Sequence, residues 1–111
     1  MSVPYEVLKE LSGANDRQIQ WWVRDGFIPG QPRTVGSGNW RTWTRTDLLH
    51  VRVLRLLREA QVIDESISFI MGLVVSEPWS VPLVVEIADN VTLTIDLPAI
   101  DALIPLFEEH R

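Results

Sequence analysis

Apolar residues in the first part of the chain recur at helical spacing, in short bursts cut by turn residues. Tyr5, Leu8 and Leu11 share one face of a segment that Val3-Pro4 opens and Ser12-Gly13-Ala14 breaks. Asn15 then stands at an N-cap position with Gln18 three residues on, a capping box, and predicts a helix over Asp16–Arg24 that stops at Asp25-Gly26. Wound at about 100° per residue, Ile19, Trp22 and Val23 fall on one side of this helix. Arg17, Gln20, Trp21 and Arg24 fall on the other, with Gln18 at the edge near the N-terminus. Two short helices joined by a tight glycine-containing turn are a helix-turn-helix unit.

The pattern then changes. From Phe27 to Thr44 prolines and glycines bracket short β-prone pieces, which predict a two-stranded wing over residues 33–43 with its tip at Gly36-Ser37-Gly38-Asn39. Arg33 and Arg41 flank the tip, and glycines there let backbone amides approach a phosphate. Thr44-Arg45-Thr46-Asp47 is a second capping box, opening a helix that runs to about Gln61. That helix carries two apolar stripes, Leu49/Val53/Leu56/Leu57/Ala60 and Leu48/Val51/Leu54, so it should lie between two layers. His50 has no second ligand-type residue at metal spacing and reads as structural or surface.

Beyond the linker Glu77-Pro78-Trp79-Ser80 the period becomes two. Residues 81–87 and 91–97 read as strands around Ala88-Asp89-Asn90. A two-residue Asp89-Asn90 loop would pair Glu86 with Leu93. A three-residue loop with Asn90 left-handed pairs Ile87 with Val91, Val85 with Leu93, Leu83 with Ile95 and Val81 with Leu97, which gathers the apolar side chains on one face and is the favoured register. Pro98 starts a last helix with Ile100, Leu103, Ile104 and Phe107 on one side, and Pro105 kinks or shortens it. A lone hairpin is marginal in water, so its apolar face needs cover, either from this chain or from a second copy. The expected class is α+β: a winged helix-turn-helix over residues 1–75 and an acidic hairpin-helix appendage over 76–111.

Composition sharpens this picture through charge. The net charge of −5 would disfavour nucleic acid if it were evenly spread. Residues 1–62 hold nine basic and six acidic side chains, whereas residues 63–111 hold one basic and nine acidic. Eight of the nine basic groups are arginine, the side chain suited to bidentate phosphate and guanine contacts. One half is therefore suited to face DNA and the other to face away. No apolar run approaches the roughly 20 residues that span a bilayer. The first residues lack the basic-then-apolar pattern of a signal peptide, and there is no cysteine. A cytoplasmic, nucleoid-associated protein with no membrane partner, no metal and no cofactor is the expectation.

The stretch Ile19-Gln20-Trp21-Trp22-Val23-Arg24-Asp25-Gly26-Phe27-Ile28-Pro29, then Gly36-Ser37-Gly38-Asn39-Trp40-Arg41-Thr42-Trp43-Thr44, then Asp47-Leu48-Leu49 resembles the MerR-type winged helix-turn-helix proteins in order and spacing. Asp64-Glu65-Ser66-Ile67-Ser68-Phe69-Ile70-Met71 is similar to that family's next helix. The resemblance spans about residues 4–75. It implies that Arg17, Gln20 and Trp21 lie in or beside the major groove, and that Trp40 and Arg41 meet backbone phosphates. Gln20 replaces the family's usual basic residue, and neither its long dimerisation helix nor the cysteines of its metal sensors are found here.

The candidate DNA-contacting set is Asn15, Arg17, Gln18, Gln20, Trp21, Arg24, Arg33, Ser37, Asn39, Trp40, Arg41 and Arg45. Arginine reads guanine, glutamine reads adenine, and a helix N-terminus favours phosphate. A transcription regulator binding double-stranded DNA is the leading expectation, with residues 76–111 either a homodimer interface or packed on the same chain. The alternatives are an excisionase-like architectural factor, a terminase small-subunit-like factor, or an adaptor that binds a protein partner through the acidic part. No nucleophile–base pair or phosphate loop is present in the sequence, so an enzyme is not expected.

Overall fold

The first helix, α1, covers Tyr5–Ser12 and ends where Gly13 turns left-handed (φ +79°), its N–H closing onto the Lys9 carbonyl. This computed structural model describes residues 2–32 and 41–105. Helix α2 covers Asp16–Arg24, with both halves of the Asn15/Gln18 capping box formed. Helix α3 covers Arg45–Glu59 behind the reciprocal Thr44/Asp47 box, and α4 covers Asp64–Ser76. Strands β1 (Leu83–Ala88) and β2 (Val91–Ile95) pair antiparallel, and α5 (Leu97–Leu103) follows. Among the described residues this is an α+β fold of five helices and one two-stranded sheet.

The two stripes of α3 explain the architecture. Leu48, Leu49, Val51, Val53, Leu54 and Leu57 are all buried, and the helix packs against α1, α4 and α5. One core runs from Val3, Leu8 and Ile19 through α3 to Ile70, Leu83, Ile95 and Ile100. The two parts distinguished by charge thus share a single interior. Helix α3 ends in a Schellman turn: Val62 N–H reaches Leu57 O (3.1 Å) and Gln61 N–H reaches Arg58 O (3.0 Å), with Gln61 left-handed at φ +61°.

The hairpin combines both registers weighed from the sequence. Leu83 pairs with Ile95 and Val85 with Leu93 as expected, and Asn90 is left-handed (φ +63°). The expected Ile87–Val91 pair is replaced by Ala88–Val91, with a bulge between Glu86 and Ala88. The tip is therefore the two-residue Asp89-Asn90 turn, and the extra residue Ile87 restores the apolar face that this turn alone would scramble. The expected Val81–Leu97 pair does not form either. Asp96 caps Ala99 N–H (3.1 Å), which turns Leu97 and Pro98 into the first turn of α5. The inner face, with Leu83, Val85 and Ile95, is buried in the common core, so this chain itself covers it.

The two-stranded wing expected over 33–43 falls largely on residues 33–40, which lie outside the described residues, as does Phe107. No helix among the described residues is long and apolar enough to cross a membrane.

Candidate nucleic-acid interface

Helix α2 splits into two faces as its sequence dictates. Ile19, Trp22 and Val23 are buried, while Arg17, Gln20 and Arg24 are exposed and Gln18 and Trp21 are half-buried. The Arg17 guanidinium lies over the Trp21 ring, 4.7 Å from its centroid. One turn of helix separates the two residues, so the stack holds the arginine against the surface and limits the conformations it must give up on binding. Part of the cover that a half-buried tryptophan needs is therefore supplied by its own helix.

The N-terminus of α2 is internally occupied. Asn15 Oδ1 accepts from Gln18 N–H (2.8 Å), and Gln18 Oε1 accepts from Asn15 N–H (3.2 Å). Lys9 of α1 pairs with Asp16 at 3.3 Å and with Glu6 at 3.2 Å. The Tyr5 hydroxyl hydrogen-bonds Asp16 and holds that carboxyl below its ordinary range, with Lys9 acting in the same direction. Burial, followed by the Asp16 bond, pushes the Tyr5 phenol up. The Tyr5 ring stacks on Trp43 (centroids 5.7 Å apart), and Lys9 sits 5.1 Å over it. These contacts fasten α2 to α1 and to the chain ahead of α3.

Beside α2 opens a cleft of about 720 Å³. Gln20, Val23 and Arg24 of α2 line it together with Arg41, Thr42, Tyr5 and Trp43. Two arginines and two aromatic residues thus line one cleft. Known proteins supply no further guide. No family model, curated protein or solved structure matches the chain significantly. The chemistry of the cleft must be read from its residues: arginine and glutamine side chains line it, which suits an anionic, acceptor-rich ligand.

The other expected contact residues fare differently. Arg33, Ser37, Asn39 and Trp40 lie outside the described residues. Arg41 turns inward with Nη1, donating to Pro32 O (2.7 Å) and Gln31 Oε1 (3.3 Å). Arg45 makes its contacts within the chain. Its guanidinium donates to Asp101 Oδ1 and to the carbonyls of Asp101, Ile104 and Pro105, all at 2.8–2.9 Å. Following the capping threonine, Arg45 points across to the unsatisfied carbonyls at the end of α5, where a cation is stabilised.

Sequence reasoning missed two sets of residues. Arg52 and Arg55 of α3 donate to Ser12 O (3.1 Å) and Gly13 O (3.0 Å), closing the C-terminus of α1. Their spacing on a helix rich in arginine was the available signal. Gln31 is 7% exposed and fully hydrogen-bonded, and nothing in its flanking prolines and glycines marked it. His50, read as structural or surface, is buried against Trp79 (6.2 Å), and burial lowers its pKa while Asp47 opposes the shift. Its Nδ1 has no hydrogen-bond partner among the described residues.

Proposed function

We propose that residues 1–75 form a MerR-type winged helix-turn-helix and that the protein binds double-stranded DNA sequence-specifically, as a transcription regulator. The observation that supports this reading most is the outward face of α2: Arg17 stacked on Trp21, with Gln20 and Arg24 beside it, next to a cleft that Arg41 also lines. Such a helix offers guanine- and adenine-reading groups to base edges, while the cleft seats the adjoining backbone. The acidic residues of the second half keep that half away from the phosphates.

The exposed side of the hairpin supports a second element of the reading. Val84 is 61% exposed, and Val81, Ile87 and Val91 are also exposed, among Glu86 and Asp89. These exposed apolar residues, Val84 on the outer face and the others continuing the inner face beyond its buried part, are where a second copy or a protein partner would dock. The same observation is what the adaptor alternative would use.

Selection from a random duplex pool at low salt, followed by affinity measurements at several salt concentrations, tests the proposal. The expected result is an enriched motif bound with a log affinity that falls linearly with log salt. A pool that enriches nothing would sink the regulator reading. Binding that ignores salt would remove DNA as the partner.

A further inference from the structure

A buried polar network sits where residues 30–32 and 41–44 meet the start of α3, and Arg41 is its only member in the expected contact set. Asp47, 2% exposed, accepts at Oδ2 from Gln31 Nε2 (2.9 Å) and from Thr44 N–H (3.0 Å). Gln31 Nε2 also donates to Thr42 O (2.8 Å), and Gln31 Oε1 accepts from Arg41 Nη1. Arg41 closes the circuit on Pro32 O. Both hydrogens and the oxygen of the Gln31 amide are thus in use. The chain on either side of residues 33–40 is tied together, and through Gln31 to the first turn of α3. Gly30 permits the approach, because a methyl group there would collide with the Asp47 carboxylate. A fully satisfied buried network favours one arrangement, and breaking any member strands the others.

We infer that Gln31 and Asp47 are positioning residues that latch residues 30–32 and 41–44 to α3 and so set where Arg41 stands for contact with the DNA backbone. The functional half of this inference rests on the DNA-binding reading; the latch itself does not. Asp47 then has two duties, capping α3 and holding Gln31, so the helix that organises the core also positions Arg41.

Gln31→Met preserves the length of the side chain and removes all three of its hydrogen bonds. It should speed tryptic cleavage of the native protein after Arg41 several-fold. It should also weaken duplex binding roughly tenfold for all sequences alike, lower the slope of log affinity against log salt by about one, and leave the ranking of sequences unchanged. Gly30→Ala, which displaces Asp47 and leaves Gln31 in place, should act in the same direction and serves if Gln31→Met fails to fold. Cleavage at the wild-type rate in these variants overturns the latch. Faster cleavage with unaltered affinity and slope overturns the positioning role. If the wild type binds duplex without salt dependence, the DNA reading fails by itself, and the cleavage rate alone then decides the latch.

Discussion

The arginines of α2 and those of α3 are the same residue used for opposite purposes. Arg17 and Arg24 are exposed on a two-turn helix, Arg17 stacked on an aromatic ring and Arg24 3.8 Å from the Asp25 carboxylate. Arg45, Arg52 and Arg55 lean across α3 and donate to carbonyls at the ends of α5 and α1. Helix C-termini leave carbonyls without partners, and a long cationic side chain from a neighbouring helix satisfies them while completing the packing. Counting basic residues in the first half therefore overstates the charge available to a ligand.

Removing one arginine from each group should separate the two purposes. Arg45→Ala deletes four charge-assisted bonds at a half-buried junction and should cost roughly 2–3 kcal/mol of stability in urea melts. Its affinity for duplex, measured on the folded fraction, should stay within about twofold of wild type. A large loss of affinity with unchanged stability would restore Arg45 to the interface. Arg17→Ala should do the reverse. Its stability should move by less than about 0.5 kcal/mol, while binding should weaken by roughly 1–3 kcal/mol with an altered base preference at one position. A melt shifted as far as that of Arg45→Ala would erase the contrast between the helices.

This division also marks where the sequence could be read. Helices α1 and α2 were legible because their signals are local: Asn15 with Gln18, the break at Gly13, and a 3.6-residue period that sorted Ile19, Trp22 and Val23 from Arg17, Gln20 and Arg24. The central place of α3 followed from its two stripes for the same reason. The partners of Arg45 and Gln31 were not legible. Arg45 bonds residues 56 to 60 positions away, and Gln31 reaches Asp47 across 16. No periodicity encodes such pairings; tertiary packing decides them. The hairpin lies between these cases: pattern gave two of its apolar pairs, but the bulge at Ile87 depends on turn geometry competing with burial, and both were satisfied at once.

A milder way to probe the core that joins the two regions is pH. His50 lies on α3 facing Trp79, and its pKa is lowered, chiefly by burial. The folded state keeps the imidazole neutral where the unfolded chain protonates near 6.5. Protons then bind preferentially to the unfolded state as pH falls. The stability linked to His50 is complete above about pH 6.5 and declines below it, down to the lowered folded value, at no more than about 1.4 kcal/mol per pH unit. His50→Leu should flatten that part of a pH series of urea melts. A wild-type slope retained in the variant would assign the acid sensitivity to other groups.

The smallest expected effect tests α3 where neither a ligand nor an arginine of the interface is involved. Gln61 holds the left-handed position of the Schellman turn, where a β-carbon is disfavoured and glycine is the usual occupant. The side chain is exposed, so the backbone strain has no visible compensation from burial. Gln61→Gly relieves that strain, at the expense of a more flexible unfolded chain, and should raise stability by about 0.5–1 kcal/mol. Duplex affinity should not change, since the turn lies at the far end of α3 from Arg45 and the cleft. A loss of stability instead would mean that the glutamine side chain contributes more than the strain it imposes. A change in affinity would mean that the end of α3 reaches the interface after all, and that the contrast between the two helices is less sharp than their arginines make it.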